Sequence, residues 1–212
     1  MIGPREVATL RSSLLAGGVA LVPTDTVYGL AAALDSRDGV ERLYAVKGRP
    51  RSQACQVLVY APQCLDAALE GLPGPIVAAA AALLPGPATC LVPDPGGRYA
   101  AAGGGRAGTV GLRAPLVRGR FAALADLDIP LVATSANDPG GPDPRELDDV
   151  PPALRSAVDV ELDAGRLPGT ASAVVDLRRA ASGEALLIRP GPDPDGMERG
   201  LAEVGIVLRR AG

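Results

Sequence analysis

The 27 glycines and 21 prolines of this 212-residue chain constrain it more than any other feature. Glycine interrupts helices through its backbone freedom and proline through its missing N–H. At that density long helices are excluded, and the chain must be built of short elements joined by many turns. Its core must also be aliphatic, because 47% of the residues are hydrophobic while only 2% are aromatic. A chain of this length buries a full core as one generous domain.

Apolar periodicity gives the elements. Helices are predicted over residues 6–16, 63–69, 76–84 and 121–125, and through Val40, Leu43, Tyr44 and Lys47, whose spacing is i, i+3, i+4, i+7. Strands are predicted at 19–22, 56–60, 89–92, 109–113, 131–134, 158–162, 172–177 and 185–189. Residues 23–29 read as a polar loop, and 193–212 as a C-terminal helix centred on 197–204. The alternation predicts an α/β (α+β) fold, a single three-layer domain over 1–212 with a twisted mixed β-sheet flanked by helices.

The chain has no histidine. A Ser-His-Asp triad, a Cys-His pair, an imidazole base and a histidine-bound metal are thereby excluded. Cys55, Cys64 and Cys90 are odd in number and lack C-x-x-C spacing, so they read as small buried hydrophobes in a reducing cytoplasm. The nine-residue apolar run 76–84 is far short of the ~20 residues a membrane-spanning helix needs. A net charge of -3 argues against a large basic surface.

Two patterns are decoys. Gly103 to Gly108 satisfies G-x-G-x-x-G, but a strand-like run follows it where a dinucleotide site needs a helix, so a mobile surface loop is expected. Asp159, Glu161 and Asp163 alternate along one predicted strand, and a solvated strand face explains them better than a metal site.

Lysine usage is more informative. Of 21 basic residues, only Lys47 is a lysine; it opens Lys47-Gly48-Arg49-Pro50-Arg51 at a predicted helix end. Three cations there suit a triphosphate clamp, and they equally suit capping of the helix dipole. Four β-rich runs end in hydroxyl, amide or Arg groups: Pro23 to Leu30, Thr109 to Pro115, Ala133 to Asn137, and Leu187 to Gly191. Open sheets bind small polar ligands with such strand ends.

These segments, with Pro85-Gly86-Pro87-Ala88-Thr89 and Gly169 to Val174, occur in the order of the YrdC-like family and cover residues 18–192. The chain resembles its short, single-domain L-threonylcarbamoyladenylate synthases. The resemblance implies formation of threonylcarbamoyl-AMP and pyrophosphate from ATP, L-threonine and bicarbonate or CO2, with Mg2+ accompanying ATP. The product would serve N6-threonylcarbamoyladenosine formation at tRNA position 37, through downstream tRNA threonylcarbamoyl-transfer proteins in the cytoplasm.

By motif position, Lys47 and Arg49 are the implied catalytic residues. Lys47, Arg49, Thr109, Ser135, Asn137 and Arg189 are the implied ATP contacts, and Thr26, Arg113, Ala133 and Ser172 the implied threonine contacts, with Arg113 pairing bidentately with the carboxylate. No protein metal ligand is implied. The chain departs from the family's usual sequence at Gln53-Ala54-Cys55, Leu58, Leu84, Asp138-Pro139-Gly140 and Ala173. Those departures are expected to touch the substrate-side wall more than the phosphate-side cations. Two alternatives stand beside this reading: a paralogue forming another carbamoyl-adenylate, and a non-catalytic module with weak RNA binding.

Overall fold

The computed structural model describes residues 1–104 and 108–210. Ten strands among them form one mixed sheet: β1 (Ala20–Pro23), β2 (Tyr28–Ala33), β3 (Gln56–Leu58), β4 (Ala88–Asp94), β5 (Gly108–Arg113), β6 (Leu131–Ser135), β7 (Val160–Glu161), β8 (Ala173–Asp176), β9 (Glu184–Arg189) and β10 (Val207–Arg210). Their order is β10-β9-β8-β4-β5-β3-β6-β2-β1-β7. Six helices flank it: α1 (Pro4–Leu15), α2 (Arg37–Lys47), α3 (Pro62–Leu69), α4 (Gly74–Leu83), α5 (Pro152–Arg155) and α6 (Pro194–Glu203). The mixed sheet with flanking helices is the architecture expected. No helix among the described residues is long and apolar enough to cross a membrane.

Register divides the central sheet into two unlike faces, because side chains alternate along each strand. One face aligns Leu21, Leu30, Val132, Val57, Leu112, Cys90 and Val175, all buried and all but the cysteine aliphatic. This is the core. The opposite face aligns Gly29, Ser135, Ala133, Gln56, Gly111, Arg113, Thr89, Val174 and Arg189. Small and polar residues leave that second face open.

Helix α2 shows how sequence delivers a charge to the site. Ser36 caps its start, its hydroxyl oxygen accepting from Gly39 N at 3.1 Å, and Gly48 ends it in the left-handed conformation at φ 62°. Val40, Leu43 and Tyr44 form the buried stripe, and Lys47 falls on that same stripe, so its ammonium is carried inward.

Several expectations are corrected. The region read as a polar loop at 23–29 ends in β2, which continues to Ala33 and is buried at every residue. The segment 193–212, expected as a helix, is helical only over Pro194–Glu203; Val207–Arg210 then adds a parallel strand beside β9, and residues 211–212 lie outside the described residues. The helix expected at 121–125 is a kinked 3-10 segment, Gly119–Asp126.

The glycine-rich decoy runs through 105–107, outside the described residues. Of its described residues, Gly108 is exposed at the start of β5, whereas Gly103 and Gly104 are buried and not on the surface. Gly104 is buried with φ +58°, and a Cβ there would lie 2.1 Å from Ala54 N, so two backbones are in direct contact. The acidic alternation is not a bare solvated face either: Asp159 accepts from Val19 N at 2.8 Å, and Glu161 pairs with Arg155 at 2.8 Å.

Candidate active site

The open face of the sheet floors a cavity of about 280 Å³. Gly29, Gly111 and Ala133 keep the floor low, and Thr26, Arg49, Thr109, Arg113, Ser135, Ser172 and Arg189 line it. A smaller recess of about 150 Å³ shares Arg49 and Ser135 with the cavity and adds Lys47 and Asn137. All ten residues singled out from the sequence therefore converge on one continuous depression.

Lys47 is only 5% exposed. Its ammonium donates to Ser135 O at 2.7 Å, to Asn137 Oδ1 at 2.9 Å and to the Asn137 carbonyl. Ser135 Oγ donates to the same Asn137 Oδ1 at 2.7 Å, and Asn137 Nδ2 donates to Gly141 O at 2.8 Å. The lysine thus pins the loop after β6. Burial, aided by repulsion from Arg49, pulls its pKa down to about 8. Arg49 donates to Ala54 O at 2.6 Å, which fixes its direction along the cavity wall.

The third cation of that cluster is not part of the site. Arg51 stacks on Tyr44 at 4.2 Å and approaches Glu41 at 3.6 Å, and it lines neither cavity. The cluster therefore supplies two cations to the depression, not three.

Arg113 stands at the other end of the floor and is 1% exposed. Its Nη1 donates to the carbonyls of Gly86 and, at 3.3 Å, Ala88; its Nη2 donates to Asp25 and, at 3.3 Å, to Thr26 Oγ1. Asp25 also accepts from Leu116 N at 2.9 Å. The guanidinium expected to pair bidentately with the threonine carboxylate thus has both terminal nitrogens engaged by the protein. Sequence reasoning missed Asp25, although it sits between the two quoted threonines. Thr24 Oγ1 lies 2.9 Å from Thr26 Oγ1 and holds the hydroxyl in place.

A row of polar side chains crosses the floor between these ends. Arg189 donates to Ser172 O at 2.8 Å, Ser172 Oγ lies 3.0 Å from Thr89 Oγ1, and Thr89 Oγ1 donates to Gln56 Oε1 at 2.9 Å. Thr89 and Gln56 were not assigned roles from sequence. Thr89 was visible in the Pro-Gly-Pro-Ala-Thr segment, whereas nothing local marks Gln56. Thr109 is held from the rim by Arg178 Nη1, which donates to its hydroxyl at 3.2 Å.

The departures from the family pattern divide between the two ends. Leu58 lies opposite Arg113 and lines the cavity with it, as expected, whereas Gln53, Pro139 and Gly140 line the recess with Lys47 and Asn137 and so surround a cation.

Comparison with known proteins places this geometry. The family model for Sua5, YciO and YrdC, described as "Telomere recombination", matches residues 12–191. The chain belongs to the Sua5/YciO/YrdC family. A relative from Hahella chejuensis named threonylcarbamoyl-AMP synthase is 33% identical over 189 residues, 82% of this chain and 94% of that one. One of the same name from Stutzerimonas stutzeri is 36% identical over 148 residues, covering 68% and 77%. Among solved structures, Pyrococcus abyssi Sua5 complexed with L-threonine superposes with a TM-score of 0.79 at 27% identity. That match covers 99% of this chain and 60% of the Sua5 chain, so the present sequence spans less than two thirds of that protein. Within the Sua5/YciO/YrdC family the matched region takes in all ten convergent residues, from Thr26 to Arg189.

Proposed function

We propose that this chain is an L-threonylcarbamoyladenylate synthase. It would join L-threonine, bicarbonate-derived CO2 and ATP into threonylcarbamoyl-AMP, with release of pyrophosphate, for tRNA modification at position 37. The single observation that carries the reading is the sheet face itself. It unites a guanidinium and hydroxyls suited to an amino acid with three cations, Lys47, Arg49 and Arg189, and an amide suited to phosphates.

The chemistry suits a site without histidine. The threonine amine adds to CO2, forming an N–C bond and losing a proton to water. A carbamate oxygen then attacks the α-phosphorus; an O–P bond forms, and the electron pair of the breaking bond leaves on pyrophosphate. The nucleophile is already an anion, so that step needs no general base. It needs alignment and neutralisation of phosphate charge.

Thr26, Arg113, Ala133 and Ser172 are assigned to threonine. Arg113 is held rigidly by two carbonyls, Thr26 and Asp25, so it would act on the carboxylate as a fixed positive charge that also orients the Thr26 hydroxyl, not as a free bidentate fork. Lys47, Arg49, Thr109, Ser135, Asn137 and Arg189 are assigned to ATP, with Lys47 and Arg49 beside the reacting phosphate. Among the described residues no group of three or more metal-ligating side chains exists, and Asp143 is the one carboxylate lining the cavity. That donor set fits Mg2+ arriving on ATP, which takes phosphate oxygens, water and one or two carboxylates. Bound there, Mg2+ would supply charge neutralisation on the leaving pyrophosphate.

A cytoplasmic setting and hand-over of the product to tRNA threonylcarbamoyl-transfer proteins belong to the same reading. Three free cysteines, two of them buried, accord with a reducing compartment. Pyrophosphate release from ATP, Mg2+ and bicarbonate tests the proposal. Release is expected only when L-threonine is added; release independent of threonine, or its absence from folded protein, would refute it.

A further inference from the structure

Gln56 occupies the middle of the floor, and its two strand neighbours have almost no side chain. It pairs with Gly111 of β5 on one side and Ala133 of β6 on the other. A Cβ built on Gly111 would come within 3.7 Å of Gln56 Cβ, so the glutamine stands in space that glycine clears.

The hydrogen bonds around it have a direction. Arg189 is a donor only, so its Nη2 contact at 3.5 Å makes Ser172 Oγ the acceptor. Ser172 can then give its own proton to Thr89 Oγ1 at 3.0 Å, and Thr89 gives its proton to Gln56 Oε1 at 2.9 Å. The row is polarised from Arg189 toward Gln56. Its last member is left with the amide nitrogen, two N–H donors bound to no acceptor among the described residues, in the lining of the cavity.

Register also fixes what lies to either side. Arg113 is opposite Leu58, two residues beyond Gln56 in one direction along β3. Ser135 lies two residues beyond Ala133 in the other direction, toward Ala54, whose carbonyl holds Arg49. Gln56 therefore sits between the residues assigned to the amino acid and those assigned to the phosphates. In a threonylcarbamoyl-adenylate the carbamate is the group that joins those two parts.

Resting on the function proposed above, we infer that Gln56 is a carbamate-binding residue: its amide N–H groups donate to the carbamate oxygen that does not attack phosphorus. That oxygen is anionic before attack and becomes a carbonyl oxygen afterwards. A donor there holds the carbamate against loss of CO2 and aims its other oxygen at the α-phosphorus.

The test is the bicarbonate KM, measured by pyrophosphate release at saturating ATP and threonine, for wild type, Gln56→Leu and Gln56→Glu. Glutamate still accepts the Thr89 proton, so the hydrogen-bonded row survives, but it presents oxygen instead of N–H to the substrate. Both variants are expected to raise the bicarbonate KM about tenfold or more, the usual worth of a hydrogen bond to a charged group, with glutamate the worse. The KM values for ATP and for L-threonine, each measured with the other substrates saturating, should move less than about twofold, since no phosphate or amino-acid contact is lost. Unchanged bicarbonate dependence in Gln56→Glu would overturn the inference, as would a parallel rise in all three KM values, which marks a structural role. A wild-type protein without threonine-dependent release would instead overturn the parent reading, and this one with it.

Discussion

Lys47 directs all three of its ammonium protons at one loop, to Ser135 O, Asn137 O and Asn137 Oδ1. A guanidinium cannot reproduce that tetrahedral pattern, which gives a physical reason for one lysine among 21 basic residues. Burial, then the Arg49 charge, brings its pKa down to about 8, well below the ordinary lysine value. Below pH 8 the folded protein carries the cation that phosphate binding needs; above it that cation is lost. The kcat/KM for ATP should therefore fall as pH rises past about 8. Stability moves the other way. Between about 8 and the ordinary lysine range the unfolded chain binds the extra proton, so the cost of burying Lys47 shrinks as pH rises. A Tm that holds while kcat/KM declines distinguishes titration at the site from unfolding. Lys47→Arg stays charged throughout and should abolish this alkaline limb, with kcat/KM reduced about tenfold or more by the wrong geometry. An alkaline limb unchanged in that variant would assign the titration to another group.

Most elements were legible from periodicity and turn residues, because tertiary packing agreed with local preference. Strand β2 was not. Tyr28–Ala33 is buried on both faces, so it lacks the alternation that marks a strand, and its glycine and alanines have low β-propensity. β10 was hidden because Val207–Arg210 is an exposed edge, with two arginines where a core strand would be apolar. In the site, Lys47, Arg49 and the strand-end hydroxyls were legible as local motifs. Asp25 and Gln56 acquire their roles only through pairing among β3, β5 and β6 and the loop before β2, which local sequence does not encode. Gly111 shows what register contributes: a side chain there would meet Thr89 Cγ2 at 3.2 Å and project into the cavity. Gly111→Val should cost about 1–3 kcal/mol in stability, since its Cβ must push against Thr89 Cγ2 although valine suits a strand. Its activity should fall about a hundredfold, because displacement of bound groups by about 1 Å is that costly. Full activity in a folded Gly111→Val protein would show that the reaction occurs elsewhere.

At the scale of the molecule, one sheet does two jobs with its two faces. The aliphatic face builds most of the core, with Tyr28, Tyr44, Tyr60 and Tyr99 also buried in it, and the face of glycine, alanine and hydroxyl residues is left for a ligand. Ten strands in mixed order bring the loop before β2, the end of α2, the loop after β6 and the end of β9 to that one face. The central claim is that this face assembles an amino acid, CO2 and ATP into a single adenylate. The most direct measurement is mass spectrometry of the quenched reaction with 13C-bicarbonate, ATP, Mg2+ and L-threonine. The account predicts a threonylcarbamoyl-AMP that carries one 13C and is absent when threonine is omitted. Pyrophosphate without a labelled adenylate, or a labelled adenylate formed without threonine, would contradict it.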